Sequence, residues 1–69
     1  MRISARNQLE GTVKSVEHGA VMSTVVIVLT GGQEVVAAIT KDSAVGLELA
    51  VGDAVTAIIK STEVMVGKE

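Results

Sequence analysis

The stretch AVMSTVVIVLT, residues 20 to 30, constrains the fold more than any other part of the chain, because its β-branched apolar residues fall on both faces of an extended segment. Val21, Val25, Ile27 and Leu29 share one side; Met22, Val26 and Val28 share the other. Gly31-Gly32 follows and supplies the positive φ angles of a two-residue hairpin turn, so QEVVAAIT, residues 33 to 40, is expected to return as a third strand. An antiparallel hairpin normally wets one face. With both faces apolar, the second needs cover, and a subunit contact is the expected source.

The rest of the chain reads as short strands. Leu9, Gly11 and Val13 alternate with Glu10, Thr12 and Lys14, the period of a half-buried strand, until the pattern resets at Ser15-Val16, at a bulge or at the strand's end. KDSAVGLEL, residues 41 to 49, breaks the alternation, with Asp42 or Ser43 as expected N-cap of one helical turn ending near Gly46. Val51-Gly52-Asp53 turns the chain. DAVTAIIK (53 to 60) is strand four, with Val55, Ala57 and Ile59 facing one way, and TEVMV (62 to 66) is a short strand five. The expectation is an all-β domain spanning residues 1–69: a small five-stranded OB-like Greek-key barrel with one short helical turn between strands three and four.

Such a chain is hard pressed to be stable alone. A domain of about 60 residues buries only about 60% of its unfolded surface, and small folds usually recruit disulfides, a structural metal or a partner subunit. This one has no cysteine and a single histidine, His18, so the first two routes lack ligands and oligomerisation remains. The longest uncharged run, His18 to Gln33, is broken by Gly19, Ser23, Thr24, Thr30 and the glycine pair, which excludes it as a membrane-spanning helix. Arg2 is followed by no apolar run, so no secretory signal is expected, and a cysteine-free chain suits a reducing cytoplasm.

The net charge is −2 and there is no Phe, Trp or Tyr. A broad basic face and a base-stacking platform are therefore both missing, and nucleic acid is not an expected partner. Catalysis lacks an inventory as well: His18 has no cysteine or acid at a motif spacing, and no nucleophile elbow, phosphate loop or dinucleotide fingerprint occurs.

What stands out is three polar groups in an apolar chain: Ser4-Ala5-Arg6-Asn7, Thr40-Lys41-Asp42-Ser43 and Lys60-Ser61-Thr62. Each joins hydroxyls and a cation at a strand end or a helix start. A tetrahedral dianion calls for such donors, since guanidinium and ammonium groups give charge-assisted bonds and hydroxyls give adaptable ones. The same residues also suit a plainer role, with serines and threonines as caps and Arg6 and Lys60 as solvated surface charges. His18 reads as a turn residue before Gly19, or as part of a subunit junction.

SARNQLEGTVKSV, VVAAITKDSAVGLELAVGD and VTAIIKSTEVMV together resemble the molbindins, small Mop-type molybdate-binding proteins whose module also occurs fused to regulators and transporter ATPases. The resemblance spans nearly the whole chain, and the pairing of SARNQ with IKST in so short a sequence is specific. It implies an OB-like barrel assembled as a homohexamer, a trimer of dimers, with molybdate or tungstate bound between subunits and no organic cofactor. Residue by residue it places Ser4, Ala5, Arg6, Lys60 and Ser61 around the oxyanion, with Thr40 and Ser43 from the neighbouring chain and Lys41 as a further candidate. It also implies a second kind of oxyanion site where three subunits meet, assigned here to His18, Gly19 and Ala20. The function implied is cytoplasmic storage of molybdate, or alternatively a molybdate-sensing module that docks a regulator or enzyme.

Overall fold

The computed structural model describes residues 1–69. Four strands, β1 (Asn7–His18), β2 (Met22–Leu29), β3 (Glu34–Thr40) and β4 (Ala54–Ile59), form one antiparallel sheet in the order β3-β2-β1-β4. A short helix, α1 (Lys41–Gly46), joins β3 to β4, and a 3₁₀ turn follows at Ser61–Glu63. The sheet curls into an OB-like shape, all-β as expected, with four strands rather than five.

β1 organises the sheet by serving two partners in succession. Asn7 to Thr12 pair with β4, Gly11 to His18 pair with β2, and only Gly11 and Thr12 are flanked on both sides. Between Val13 and Ser15 the pairing with β2 shifts by one residue. The reset in the sequence is therefore a bulge, which bends β1 and adds twist without ending it. Gly11 is required where the strands crowd: a Cβ there would lie 2.6 Å from Ile27 Cγ2 and 2.6 Å from the Val28 carbonyl oxygen.

Three local expectations need correction. The β2–β3 hairpin closes over Thr30, Gly31 and Gly32, with only Gly32 at positive φ (92°); Gly32 N–H donates to Leu29 O and Leu29 N–H to Gln33 O. That is a three-residue loop with glycine in the left-handed position, where a two-residue turn was expected. The N-cap of α1 is Thr40, whose hydroxyl oxygen accepts from Ser43 N–H at 3.1 Å, and neither Asp42 nor Ser43 takes that place. The last strand residue already has the extended backbone a cap requires, so the helix starts without a linker. At the other end Glu48, at φ 53°, closes the helix with Glu48 N–H bonded to Val45 O and Leu49 N–H to Ala44 O.

The fifth strand is absent from the ladder. After Ile59 the chain enters the 3₁₀ turn; Val64 leaves it with extended backbone, and the VMV segment pairs with no strand, with Met65 93% and Val66 92% exposed. A strand pattern needs an edge to pair with, and none within this chain meets the segment.

The core is small: Val13, Val25, Ile27 and Ala57 pack together, flanked by Val16, Leu29, Ala37, Ile39, Leu49 and Val55. Six of the 69 residues are buried, too few for comfortable stability in a lone copy. Between β3 and β4 the barrel stays open as a groove of about 650 Å³ lined mostly by apolar side chains. Val36, Leu47 and Val51, all about two-thirds exposed, extend the uncovered apolar surface.

Candidate functional site

The register of β1 with β4 decides where the cations go. Asn7 is the first residue of β1 and pairs with Ile59, the last of β4. Arg6 immediately precedes Asn7 and Lys60 immediately follows Ile59, so the two cations flank the last rung of the β1–β4 ladder, Arg6 at a bend and Lys60 at the start of the 3₁₀ turn. Residues 52 positions apart in the chain are held together by Asn7 Nδ2–H, which donates to the Ile59 carbonyl at 3.2 Å. Gln8 Nε2–H donates to the Ala5 carbonyl at 2.8 Å and keeps the SAR segment folded against the start of β1. Asn7 was singled out within the Ser4-Ala5-Arg6-Asn7 group but given no role of its own, and Gln8 was not singled out; its place inside SARNQ was the available signal.

Two cations at the same end of a strand pair repel unless something negative lies near them. Neither carboxylates nor other acceptors fill that role within the chain. Arg6 and Lys60 make no ion pair, and the one salt bridge, Lys14 to Glu34 at 2.6 Å, lies elsewhere. The side chains of Ser4, Arg6, Lys60 and Ser61 make no hydrogen bond inside the chain, and all four are exposed. Lys60 precedes the 3₁₀ turn in extended conformation without a side-chain cap bond, so the hydroxyl of Ser61 is not consumed in capping. These side chains are donors without a partner inside the chain.

The other candidates lie at the far end of β1. Thr40 pairs with Met22 across β2 and β3, Lys41 N–H donates to Val21 O at 2.7 Å, and Gly19 N–H donates to Met22 O at 2.7 Å. These bonds draw the His18-Gly19-Ala20 turn beside the Thr40-Lys41-Asp42-Ser43 segment, two groups the sequence presents as separate. Thr40 Oγ1–H donates to Ser43 Oγ at 2.7 Å in addition to capping α1. His18 Nδ1 lies 2.6 Å from the hydroxyl of Ser23, the only buried polar residue, whose place among apolar neighbours in β2 could have flagged it.

Ser4, Ala5 and Arg6 thus lead into the end of the β1–β4 ladder that Lys60 and Ser61 leave, while Thr40 and Ser43 lie with His18, Gly19 and Ala20 at the other end of β1. Eleven residues of β1, Asn7 to Glu17, separate the two groups, roughly 36 Å of contour at about 3.3 Å per residue. None of the three concave regions of the surface contains any of these residues. A cage for a small anion, with its donors desolvated on all sides, is therefore not closed by one chain. No group of three or more His, Cys, Asp or Glu side chains converges in a way that would hold a metal cation.

Comparison with known proteins adds an independent line. Residues 3–66 match the model of the TOBE domain family. The chain is 47% identical over 66 residues to molybdenum-pterin-binding protein 3 of Clostridium pasteurianum, covering 96% of this chain and 97% of that protein. It is 53% identical over 64 residues to the molybdenum transport protein ModE of Herbaspirillum seropedicae, covering 93% of this chain but 24% of that one. Its fold superposes with a TM-score of 0.92, at 51% identity, on a molybdate-binding protein from Sporomusa ovata, with 99% of this chain and 100% of the other covered.

Proposed function

The chain belongs to the TOBE domain family, as a molbindin, and from that premise we propose that it binds molybdate at subunit interfaces of a homo-oligomer. What supports the reading is the pairing of Asn7 with Ile59, which puts Arg6 and Lys60 at the two chain positions next to the last rung of β1 and β4, while the side chains of Ser4, Arg6, Lys60 and Ser61 have no partner within the chain. A dianion there removes the repulsion between the two cations and accepts from hydroxyl and amide donors together. Thr40 and Ser43 of a neighbouring copy complete the cage. Their distance from Arg6 within one chain supports a shared site, and the exposed apolar faces and the unpaired VMV segment support the assembly, a hexamer built as a trimer of dimers.

Selectivity in this reading is geometric. Sulfate has the charge and symmetry of molybdate but shorter bonds, so a cage sized for the larger ion leaves some of its donors without partners. Each desolvated donor left unpaired costs about 1–3 kcal/mol, and two such losses give roughly 30-fold discrimination or more. Tungstate, nearly identical in size, is accepted. The protein acts in the cytoplasm as a store that holds and releases the anion, and no catalytic step enters. That related sequence forms a quarter of a longer transport protein favours one second reading, a sensing module whose anion-dependent surface docks a partner.

A ligand that binds the native assembly and not the unfolded chain raises stability by mass action. Thermal unfolding with molybdate, compared with equal sulfate, is expected to show a higher midpoint in molybdate; superimposable curves would count against the cage. Native mass spectrometry of the same samples reads subunit number and bound anions together. Pull-downs with and without molybdate separate storage from sensing, because only a sensor needs a partner.

A further inference from the structure

We infer that Ser23 is a positioning residue that locks the His18 ring in the tautomer carrying its proton on Nε2, so that the β1–β2 turn presents a hydrogen-bond donor outward. Ser23 is 1% exposed, and its hydroxyl has one partner, His18 Nδ1 at 2.6 Å. Two assignments of the shared proton exist. If His18 Nδ1–H donated to Ser23 Oγ, the serine's own O–H would be buried with no acceptor, a loss worth avoiding at any buried site. If Ser23 O–H donates to a bare Nδ1, every group is satisfied. The second arrangement requires the ring proton on Nε2, the nitrogen turned away from Ser23.

The pair is built into the strands. His18 and Ser23 are opposite partners in the β1–β2 ladder, and Gly19 N–H bonded to Met22 O closes the turn between them. Ser23 sits on the same face of β2 as the buried Val25 and Ile27, so its hydroxyl is anchored by the core while the ring projects from the rim. A ring fixed this way donates at its outer nitrogen and offers no lone pair there. It suits an acceptor-only ligand, a tetrahedral oxyanion or a carboxylate, and disfavours a metal cation, which binds the unprotonated nitrogen. For its ligand, this inference rests on the oxyanion reading of the His18-Gly19-Ala20 turn; for the tautomer it does not.

The single histidine makes the test direct. In protein labelled with ¹⁵N-histidine, long-range proton–nitrogen correlation at about pH 8.5, above the ordinary histidine range, reports which ring nitrogen carries the proton. The wild-type chain is expected to show Nδ1 unprotonated and Nε2 protonated. Ser23→Ala, which removes the hydroxyl without adding volume, should raise the population of the other tautomer roughly fivefold, equivalent to about 1 kcal/mol. Ser23→Thr, which keeps the hydroxyl, should restore the wild-type ratio. A wild-type ring protonated on Nδ1, or a ratio unchanged by Ser23→Ala, overturns the inference. Adding molybdate to the same sample then tests the ligand separately: a shift of the Nε2 signal is expected, and its absence beside an intact tautomer lock overturns only the oxyanion at this turn.

Discussion

At the end of β1 where it meets the end of β4, Ser4, Arg6, Lys60 and Ser61 make no side-chain bond within the chain, whereas at the other end Thr40 is bonded to Ser43 and His18 to Ser23. Both ends carry hydroxyls and a nearby cation, and apart from the buried Ser23 these polar side chains are exposed. The difference lies in what the bonds already do. Thr40 and Ser43 start a helix and Ser23 anchors a turn, so changing them alters the fold of the subunit first. Arg6 and Lys60 contribute nothing comparable inside the chain, and their donors are free for an anion. The comparison teaches that a residue's type does not reveal whether its hydrogen-bonding capacity serves the fold or a ligand; its partners do.

Variants can break that contrast. The largest effect is expected from Arg6→Ala, which removes a charge-assisted donor at a cost of about 1.5–3 kcal/mol and so weakens molybdate binding roughly 10- to 100-fold. Calorimetry reads the affinity, and the melting midpoint without anion should stay near wild type. A midpoint that falls with the affinity would place Arg6 among the residues that hold the fold. Gly11→Ala strikes the strand between the two ends. Its Cβ would meet a backbone oxygen and the Ile27 side chain at 2.6 Å, and overpacking of this kind costs about 1–3 kcal/mol. Urea unfolding should show the loss in the absence of any anion.

Thr40→Ala sharpens the contrast from the far end. Loss of the N-cap should cost about 1 kcal/mol of stability, visible in the anion-free melting midpoint before any change in affinity is considered. An anion-free midpoint identical to wild type would move Thr40 into the same class as Arg6. The smallest effect is expected from Lys14→Ala. It breaks the exposed ion pair with Glu34, worth under about 1 kcal/mol, and should leave anion affinity unchanged. Lys14 thus separates a specific cation from general charge.

Much of the secondary structure was legible because it is local. The alternation of Leu9, Gly11 and Val13 and the β-branched run of β2 mark strands by side-chain period alone, whereas the reset at Ser15-Val16 left a bulge and a strand end both open, and the register shift, between Val13 and Ser15, decided for the bulge. The expected N-cap at Asp42 or Ser43 failed because Thr40 is both the end of β3 and the start of α1, and a strand pattern does not advertise its last residue as a cap. TEVMV failed as a strand for a different reason. Its pattern is that of a strand, but pairing needs a neighbouring edge, and no periodicity records where that edge is or which copy owns it.

By itself the sequence determined the first four strands, their apolar faces and the three polar groups, since these follow from residue type and spacing along one line. Only the tertiary structure decided which of those groups meet. Arg6 and Lys60 come to the same end of the sheet because the register of β1 on β4 brings Asn7 to Ile59, and Thr40 joins the His18 turn because β2 lies between β1 and β3. Such contacts depend on closing loops across most of the chain, where the ladder's register and the packing of Val13, Val25, Ile27 and Ala57 select one arrangement among many.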